Sequence, residues 1–517
     1  MSLRSMGWSI GENNGLKIER ISDEHALYLR DESRSIGKAD FIAFPSCDAD
    51  VREALAFARE RGLPVTTQGG RTGLAAGAVP HSGLVLNLGR MDRIPGWERS
   101  GDAFLLRVQP GVLLVNLRQY AASLRSQTGP FFFPPDPTET TASIGGMTAC
   151  NASGARTFRY GAMRRWVEGL RVILADGRCI SLRRGEQKAQ GRFLRLRCDD
   201  GSAIDLTLPS YRMPSVKNAS GYYIADDMDA VDLFVGSDGT LGIITEVLLR
   251  LQPLPPQIWE CGLLLPDEDT ALALTEMLRS HCRLASLEYF DAGALQVLRD
   301  RKAKDASLAG LTDVPEETCA ILFAEIHAGS REEAFAQLLK ISDYLKACGE
   351  DPERTWLGWN DAQVRRFKAF RHAVPESVNL LIDGRRKREP GITKLGTDMS
   401  VPDNRLRRVF AMYREGLSEL GLQSAVWGHI GNNHVHVNIL PNTMEEYRRA
   451  KELYGAWAQR VTEMGGAVSA EHGVGKLKAS FLETMYGPKA IEEMRALKRF
   501  LDPDGILNPG NLFEWNK

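Results

Sequence analysis

Several common signals are missing from this sequence, and each absence narrows what the chain can be. No two of its eight cysteines come close to a CxxC spacing, which argues against an iron–sulfur cluster or a zinc ribbon on this chain. Nothing pairs them as a disulfide framework, so a reducing compartment is expected. No apolar run approaches the length of a membrane span, and Met1 to Lys17 is polar, without the apolar centre of a signal peptide. The net charge of −1 gives no overall field toward nucleic acid or a membrane surface. There is no internal repeat and no low-complexity tract. These absences point to a cytoplasmic protein, at most peripheral to a membrane. With 517 residues the chain exceeds one hydrophobic core, so two or three domains are expected.

What is present is a succession of short strands and glycine turns. Residues 1–36 read as an irregular or helical lead-in. Phe41 to Pro45 reads as a strand, and Asp48 to Arg61 as a helix with Asp48 as N-cap and Val51, Ala54, Leu55 and Ala58 on one face. Strands follow at Pro64–Thr67, Gly83–Leu88, Leu105–Val108 and Val167–Leu174, with a helix over Leu113–Ser123 and a hairpin turn at Asp176-Gly177. Residues 181–212 are basic and read as an irregular surface insertion. The proline-rich stretch Gln252 to Pro256 is the best boundary in the chain. Beyond it strands (Trp259–Leu265, Ala320–His327) alternate with helices (Asp269–Ser280, Arg331–Ala347), which suggests an α/β domain with an antiparallel sheet. From about Glu445 the pattern is mostly helical. The expected division is 1–36, 37–253, 257–445 and 446–517.

Three glycine-rich blocks each follow a strand: Gln68-Gly69-Gly70-Arg71-Thr72-Gly73-Leu74, the segment from Pro135 through Ala142–Gly154 to Tyr160-Gly161, and Phe234–Glu246. Closely spaced glycines let backbone amides converge on an anion. The first block fits neither a Walker A motif nor the Rossmann fingerprint, and alone it is equally a tight turn. Three such blocks favour one large nucleotide cofactor.

Two stretches near the C-terminus carry the remaining chemistry: Gly428–Asn438 and Ser469–Gly475. They hold four of the nine histidines. His429 and His436 are seven residues apart with glycine and asparagine between them, which rules against a helix. A turn at Gly431-Asn432-Asn433 followed by a strand would put His434, His436 and Asn438 on one face. Two imidazoles and Glu471 could then hold a divalent metal with open positions; the plainer alternative is polar histidines on a sheet edge. Glu471 and His472 are adjacent, so in an extended loop their side chains diverge.

Together these five motifs resemble the flavin-binding vanillyl-alcohol oxidase and para-cresol methylhydroxylase superfamily. Within it, the C-terminal stretches resemble the FAD-linked D-2-hydroxy-acid dehydrogenases of the glycolate oxidase subunit and D-lactate dehydrogenase type. The likeness runs over about residues 38–515. It implies an α+β fold: a two-subdomain FAD-binding domain, an α/β substrate (cap) domain with an antiparallel sheet, and a C-terminal helical segment completing the active site. It implies that Gly69, Gly70, Arg71, Thr72 and Gly73 hold the FAD diphosphate. Pro135, Asp136, Thr138, Gly145, Gly146, Asn151, Gly154 and Tyr160 would line a second flavin wall, and Gly239, Gly242 and Ile244 would close it. Some superfamily members attach flavin through a histidine near the place of Arg71, so FAD is expected to be non-covalent here. Lys217-Asn218 with Gly221-Tyr222 resembles a further segment beside the flavin, or is a capped loop.

The same resemblance makes His429, His436 and Glu471 the ligands of a divalent metal (zinc, with manganese and iron as alternatives). His472 would be the base, Asn438 a substrate contact and Arg371 the carboxylate-binding arginine, whose fork suits a bidentate contact. Lys394 is a second cation for the substrate, by a looser match. One departure stands out. Relatives usually read Gly-Asp-Gly-Asn where this chain has Gly431-Asn432-Asn433-His434. His434 is therefore an additional imidazole that could ligate metal, bind substrate or point into the sheet. The run Arg385–Arg388 reads as a solvated loop.

The implied reaction is oxidation of a D-2-hydroxy acid (lactate, glycolate or 2-hydroxyglutarate) to the 2-oxo acid, by hydride transfer to flavin with metal and histidine assistance. An oxygen-using oxidase and a flavin-dependent, non-redox ether-lipid synthase are the alternatives. With no iron–sulfur motif, electrons would pass to a quinone, an electron-transfer flavoprotein, a cytochrome or an iron–sulfur subunit. A homodimer is compatible with the sequence, and no nucleic-acid partner is expected.

Overall fold

Short strands ending in glycine build the N-terminal half. In the computed structural model residues 15–101, 103–124 and 129–515 are described; the first fourteen residues of the lead-in lie outside them. A four-stranded sheet has the order Ile18–Arg20, Phe41–Ala43, Leu84–Asn87, Val65–Gln68. Its three inner pairings differ in direction: the first is antiparallel, and the other two are parallel. The lead-in thus contributes a strand and a 3₁₀ turn, Asp23–Leu29, rather than irregular chain alone. The helix Asp48–Glu60 packs on this sheet through Val51, Ala54, Leu55 and Ala58, all buried. Its N-cap is Cys47, not Asp48: Cys47 keeps extended backbone, while Asp48 is helical and accepts from Arg171 Nε at 2.6 Å.

A second, antiparallel sheet runs in the order Gly96–Ser100, Ala103–Val108, Ile243–Pro253, Val167–Ile173, Cys179–Arg183. The basic stretch after it is not irregular. Phe193–Arg197 and Ala203–Thr207 form a hairpin whose Leu194, Leu196 and Leu206 are buried while the intervening arginines face solvent. The two-residue period of Phe-Leu-Arg-Leu-Arg carries that arrangement.

The strand Ile243–Pro253 ends at the prolines, and Gln257–Leu265 opens a third sheet of eight strands. Its order is Trp356–Gly358, Gln257–Leu265, Ala320–Ala328, Leu284–Asp291, Ser424–His429, His434–Ile439, Leu395–Gly396, with Met399–Ser400 also paired to His434–Ile439. All of these pairings are antiparallel. One face is apolar (Leu263, Leu322, Leu287, Val435, Val437) and is packed with residues of the helices Glu268–His281, Leu406–Leu420 and Met444–Glu463. The other face carries buried polar groups: Glu260 opposite Glu325, then Glu288, His429 and His436. Two elements carry little periodic signal. The strand Leu284–Asp291 is buried on both faces, and the helix Asp361–Arg386 contains Pro375. Arg385 is not in a solvated loop; it is a buried residue in the last turn of that helix and donates to the Leu440 carbonyl.

The C-terminal segment begins with the helices Met444–Glu463 and Ala479–Leu501, the latter kinked at Gly487. It then returns to the first sheet. Val65 N–H donates to the Ile506 carbonyl (2.7 Å), and Asn508 Oδ1 accepts from Thr67 N–H (2.7 Å). A buried ion pair fixes this return: Lys498 Nζ donates to Asp502 Oδ2 (2.5 Å) and to the carbonyls of Thr240 and Leu507 (2.8 and 2.9 Å). No described helix is long and apolar enough to cross a membrane. Removing one member of a buried pair leaves an uncompensated charge. Lys498→Met is therefore expected to destabilise the protein by about 3–5 kcal/mol in urea unfolding. The double variant with Asp502→Leu should recover much of that loss; equal losses would show that the charge pairing is not the cause.

Candidate active site

A cavity of about 940 Å³ lies between the glycine loops and the polar face of the eight-stranded sheet. That is the upper end of the usual range for ligand sites, about 300–1,000 Å³. The loops that wall it are drawn together closely. A Cβ on Gly69 would stand 2.0 Å from Ser143 Oγ, and one on Gly475, which has φ +48°, 2.2 Å from the Ala75 carbonyl oxygen. Only glycine allows these approaches. Ser143 Oγ also accepts from the amides of Gly70 and Gly146 (3.1 and 3.3 Å). Asp238, in the third glycine block, takes the amides of Val474 and Gly475 (3.1 and 2.8 Å). The three blocks and the C-terminal loop are thus one hydrogen-bonded frame.

Of the residues expected at the flavin, Gly69, Gly70, Arg71, Thr72, Gly73, Asp136, Thr138, Gly145, Gly146, Gly239, Gly242 and Ile244 line the cavity. Pro135, Asn151, Gly154 and Tyr160 stand behind its wall. The Pro135 carbonyl accepts from Arg118, Asn151 is bonded to Arg164 N–H and the Asn218 carbonyl, Gly154 packs on the Asp136 carbonyl, and Tyr160 Oη lies 2.7 Å from His327 Nδ1. These four are not among the residues that line the cavity.

At the other end of the cavity the turn Ile430–Asn432, with Asn433 at φ +49°, folds His429 back against the strand His434–Ile439. The ligand atoms of His429, His434, His436 and Glu471 lie within 4.8 Å of one another. His429 Nε2 is 3.0 Å from Glu471 Oε2, and its Nδ1 is 2.7 Å from Glu288 Oε1. Burial would lower His429, but the Glu288 carboxylate raises it to about 9. His436 Nδ1–H donates to the Thr397 carbonyl (2.8 Å), leaving Nε2 as its available donor atom. Burial, then the neighbouring His472, lowers His436 to about 4. Outer acceptors that fix imidazole tautomers in this way are the usual support of metal-ligating histidines, and the donor set fits a divalent metal. One contact competes with it: Lys217 Nζ donates to Glu471 Oε2 at 2.8 Å.

His472 lies against the cavity with its ring stacked on His436 (centroids 5.3 Å apart, planes at 12°). Its Nδ1 is 3.5 Å from Asp398 Oδ2. Burial lowers its pKa from 6.5, although Asp398 opposes this, so the imidazole is neutral at pH 7. Arg371 and Lys394 also line the cavity, as does Asn438. Behind Arg371 stands Glu260, 3.2 Å away but off the line of a hydrogen bond. Burial pushes Glu260 up to about 7 against the pull of Arg371, so it engages the guanidinium only partly. Pro375 has no N–H to give the Arg371 carbonyl. Burial lowers Lys394 to about 8. His434 is fully buried and not among the cavity residues, so it is not placed to touch substrate.

Asp398 is the residue that sequence reasoning passed over. It accepts from the amides of Glu471 and His472 (3.1 Å each), Ser469 Oγ (2.8 Å) and Lys478 Nζ (2.5 Å). Burial would raise its pKa, but Lys478 and the adjacent imidazoles hold it well below the carboxylate range. Glu288 and Glu260 were missed as well. The signal existed: each is a lone carboxylate in an apolar strand, Leu287-Glu288-Tyr289 and Trp259-Glu260-Cys261.

The chain resembles known proteins over most of its length. Residues 39–183 match the FAD binding domain family, and residues 260–512 match the C-terminal domain of the FAD linked oxidases. The chain is 27% identical over 499 residues to a D-lactate dehydrogenase of Anaerostipes hadrus, covering 94% of this chain and 92% of that protein. It is 27% identical over 521 residues to a D-2-hydroxyglutarate dehydrogenase of Stutzerimonas stutzeri, covering 96% of each. Among solved structures, p-cresol methylhydroxylase superposes with a TM-score of 0.68 at 16% identity, covering 97% of this chain and 94% of that one. That last likeness is one of fold.

Asp398→Ala would leave Lys478 buried without its partner and strip the acceptor from two loop amides. The expected result is a loss of about 3–5 kcal/mol in unfolding free energy, with faster hydrogen exchange at residues 469–473. Unchanged exchange in that loop would refute the assignment of Asp398 as its anchor.

Proposed function

Because the chain belongs to the FAD-linked D-2-hydroxy-acid dehydrogenase family, within the vanillyl-alcohol oxidase and para-cresol methylhydroxylase flavoproteins, we propose that its cavity oxidises a D-2-hydroxy acid of the lactate, glycolate or 2-hydroxyglutarate class to the 2-oxo acid. The observation that carries this reading is the placement of an imidazole, His472, on the wall shared by the Arg371 cation and the His429–His436–Glu471 cluster. Bound FAD supplies the acceptor for the α-hydrogen and two electrons. A divalent metal on His429, His436 and Glu471 supplies Lewis acidity at the substrate hydroxyl.

The chain's own residues do the rest. Arg371 pairs with the substrate carboxylate through its fork, with Glu260 3.2 Å behind it. Lys394 is a second cation on the same wall, and burial without a strong anionic partner favours an acidic ligand there. Asn438 lines the same cavity, with its Nδ2 donating to the carbonyls of Ala425 and His436 (3.4 and 3.0 Å). His472 takes the hydroxyl proton as the carbonyl forms, and Asp398 steadies the imidazolium that results. The glycine loops would hold FAD without covalent attachment, and Asp136 and Thr138 line the same cavity. Reducing equivalents then leave to one of the acceptor classes named above.

A second reading follows from Lys217. Its ammonium already sits 2.8 Å from Glu471 and is buried, so a protein cation in place of a metal would also neutralise the cluster. Metal content of the purified, reconstituted protein separates the two readings.

The protein should be yellow and should bleach anaerobically with a D-2-hydroxy acid and not with its L-enantiomer. His472→Ala should keep its FAD and slow bleaching by about 10²–10⁴-fold; rapid bleaching in that variant would exclude His472 as the base. Since the pKa of His472 is lowered, the rate should decline with falling pH only below about 6.5. A pH profile whose acid limb lies above that value would contradict a neutral, buried imidazole.

A further inference from the structure

The proposed function uses two of the three imidazoles that meet Glu471. The third, His434, is fully buried on the strand that also carries His436. A buried imidazole normally satisfies both nitrogens. Here neither does: Nδ1 and Nε2 both lack a hydrogen bond of proper geometry. Leaving them so costs on the order of 1–3 kcal/mol per group. The ring is nevertheless held firmly, by the register of its strand against Met399–Ser400 and Ser424–His429 and by edge-on contact with His436 (4.6 Å between centroids).

The surroundings of the two nitrogens say what they are for. Nδ1 faces the cluster, 3.5 Å from Glu471 Oε2. Nε2 faces outward, 3.0 Å from Asp398 Oδ1. His429 and His436 are arranged alike: one nitrogen is taken by an outer acceptor (Glu288 or the Thr397 carbonyl) and the other is left available. The separations also match. His429 Nε2 and His434 Nδ1 lie 3.0 and 3.5 Å from the same carboxylate oxygen. Ligand atoms bound at about 2.0–2.1 Å around a tetrahedral ion are roughly 3.3 Å apart.

We propose that His434 is a fourth protein ligand, through Nδ1, so that the site is His429, His434, His436 and Glu471, with Asp398 as the outer acceptor of the new ligand. This rests on the metal reading above and extends it. Three imidazoles and one carboxylate favour zinc, iron, cobalt or nickel over manganese and magnesium, which prefer oxygen-rich sites. Four protein donors also fill a tetrahedron, so substrate can join the ion only if it expands to five or six positions.

The test is His434→Asn, which removes the imidazole and keeps a polar side chain, studied in the FAD-loaded protein. Zinc and cobalt are titrated against a chromogenic chelator, and X-ray absorption of the zinc-loaded protein counts imidazoles by their multiple scattering. The proposal expects three imidazoles in the wild type, two in His434→Asn, and at least a tenfold weaker metal affinity with FAD content unchanged. Two imidazoles in the wild type, or equal affinity in the two proteins, would overturn it and leave the two-histidine site standing. A wild type that takes up no metal would overturn both readings and favour Lys217 as the resident cation. If His434→Asn fails to fold, the imidazole count of the wild type decides alone.

Discussion

A single buried carboxylate organises the catalytic end of this protein. Asp398 sits between two short strands and is 1% exposed. It would be unstable there as an anion without Lys478 against it and three further donors around it. Those donors are the amides of Glu471 and His472 and the hydroxyl of Ser469, and His434 Nε2 stands 3.0 Å from the same carboxylate. Satisfying one charge therefore sets the direction of Glu471, the approach of His472 and the tilt of His434 at once. Lys478 belongs to the start of the C-terminal helical segment, so the same pair ties that segment to the eight-stranded sheet.

The polar face of the sheet extends this logic. Glu260, Glu325 and Glu288 are spaced across three neighbouring strands on the side opposite the apolar core. Each is matched by a cation or imidazole: Arg371, Arg156 and His429. Arg156 comes from the second glycine block, 3.8 Å from Asp136 and 2.7 Å from Glu325. The flavin wall and the substrate sheet are therefore joined by charge as well as by packing. Paired, hydrogen-bonded charges can be tolerated in such an interior, but breaking one leaves its partner exposed to a low dielectric.

Much of this was legible in the residues themselves. Alternation exposed the strand His434–Ile439 and its polar side, and glycine spacing located the three cavity loops. The helix Asp48–Glu60 followed from its apolar face, though its cap did not, because Asp48 found a partner in Arg171. The strand Leu284–Asp291 escaped because burial on both faces erases the period that marks a half-exposed strand. Asp398 escaped for a related reason. Its partners lie 36 to 80 residues away along the chain, and no local pattern reports a contact of that kind. The hairpin at 193–207 was masked by its arginines, although its leucines kept strict alternation.

The return of residues 506–512 to the first sheet has a consequence for how the molecule is made. Val65 and Thr67 precede the first glycine block, yet they are capped by Ile506 and Asn508. The nucleotide-binding half is thus closed by chain synthesised more than four hundred residues later. Such long-range closure is slow to form. A chain that ends short of Ile506 would lack the hydrogen bonds that Ile506 and Asn508 make to Val65 and Thr67, just before the first glycine block.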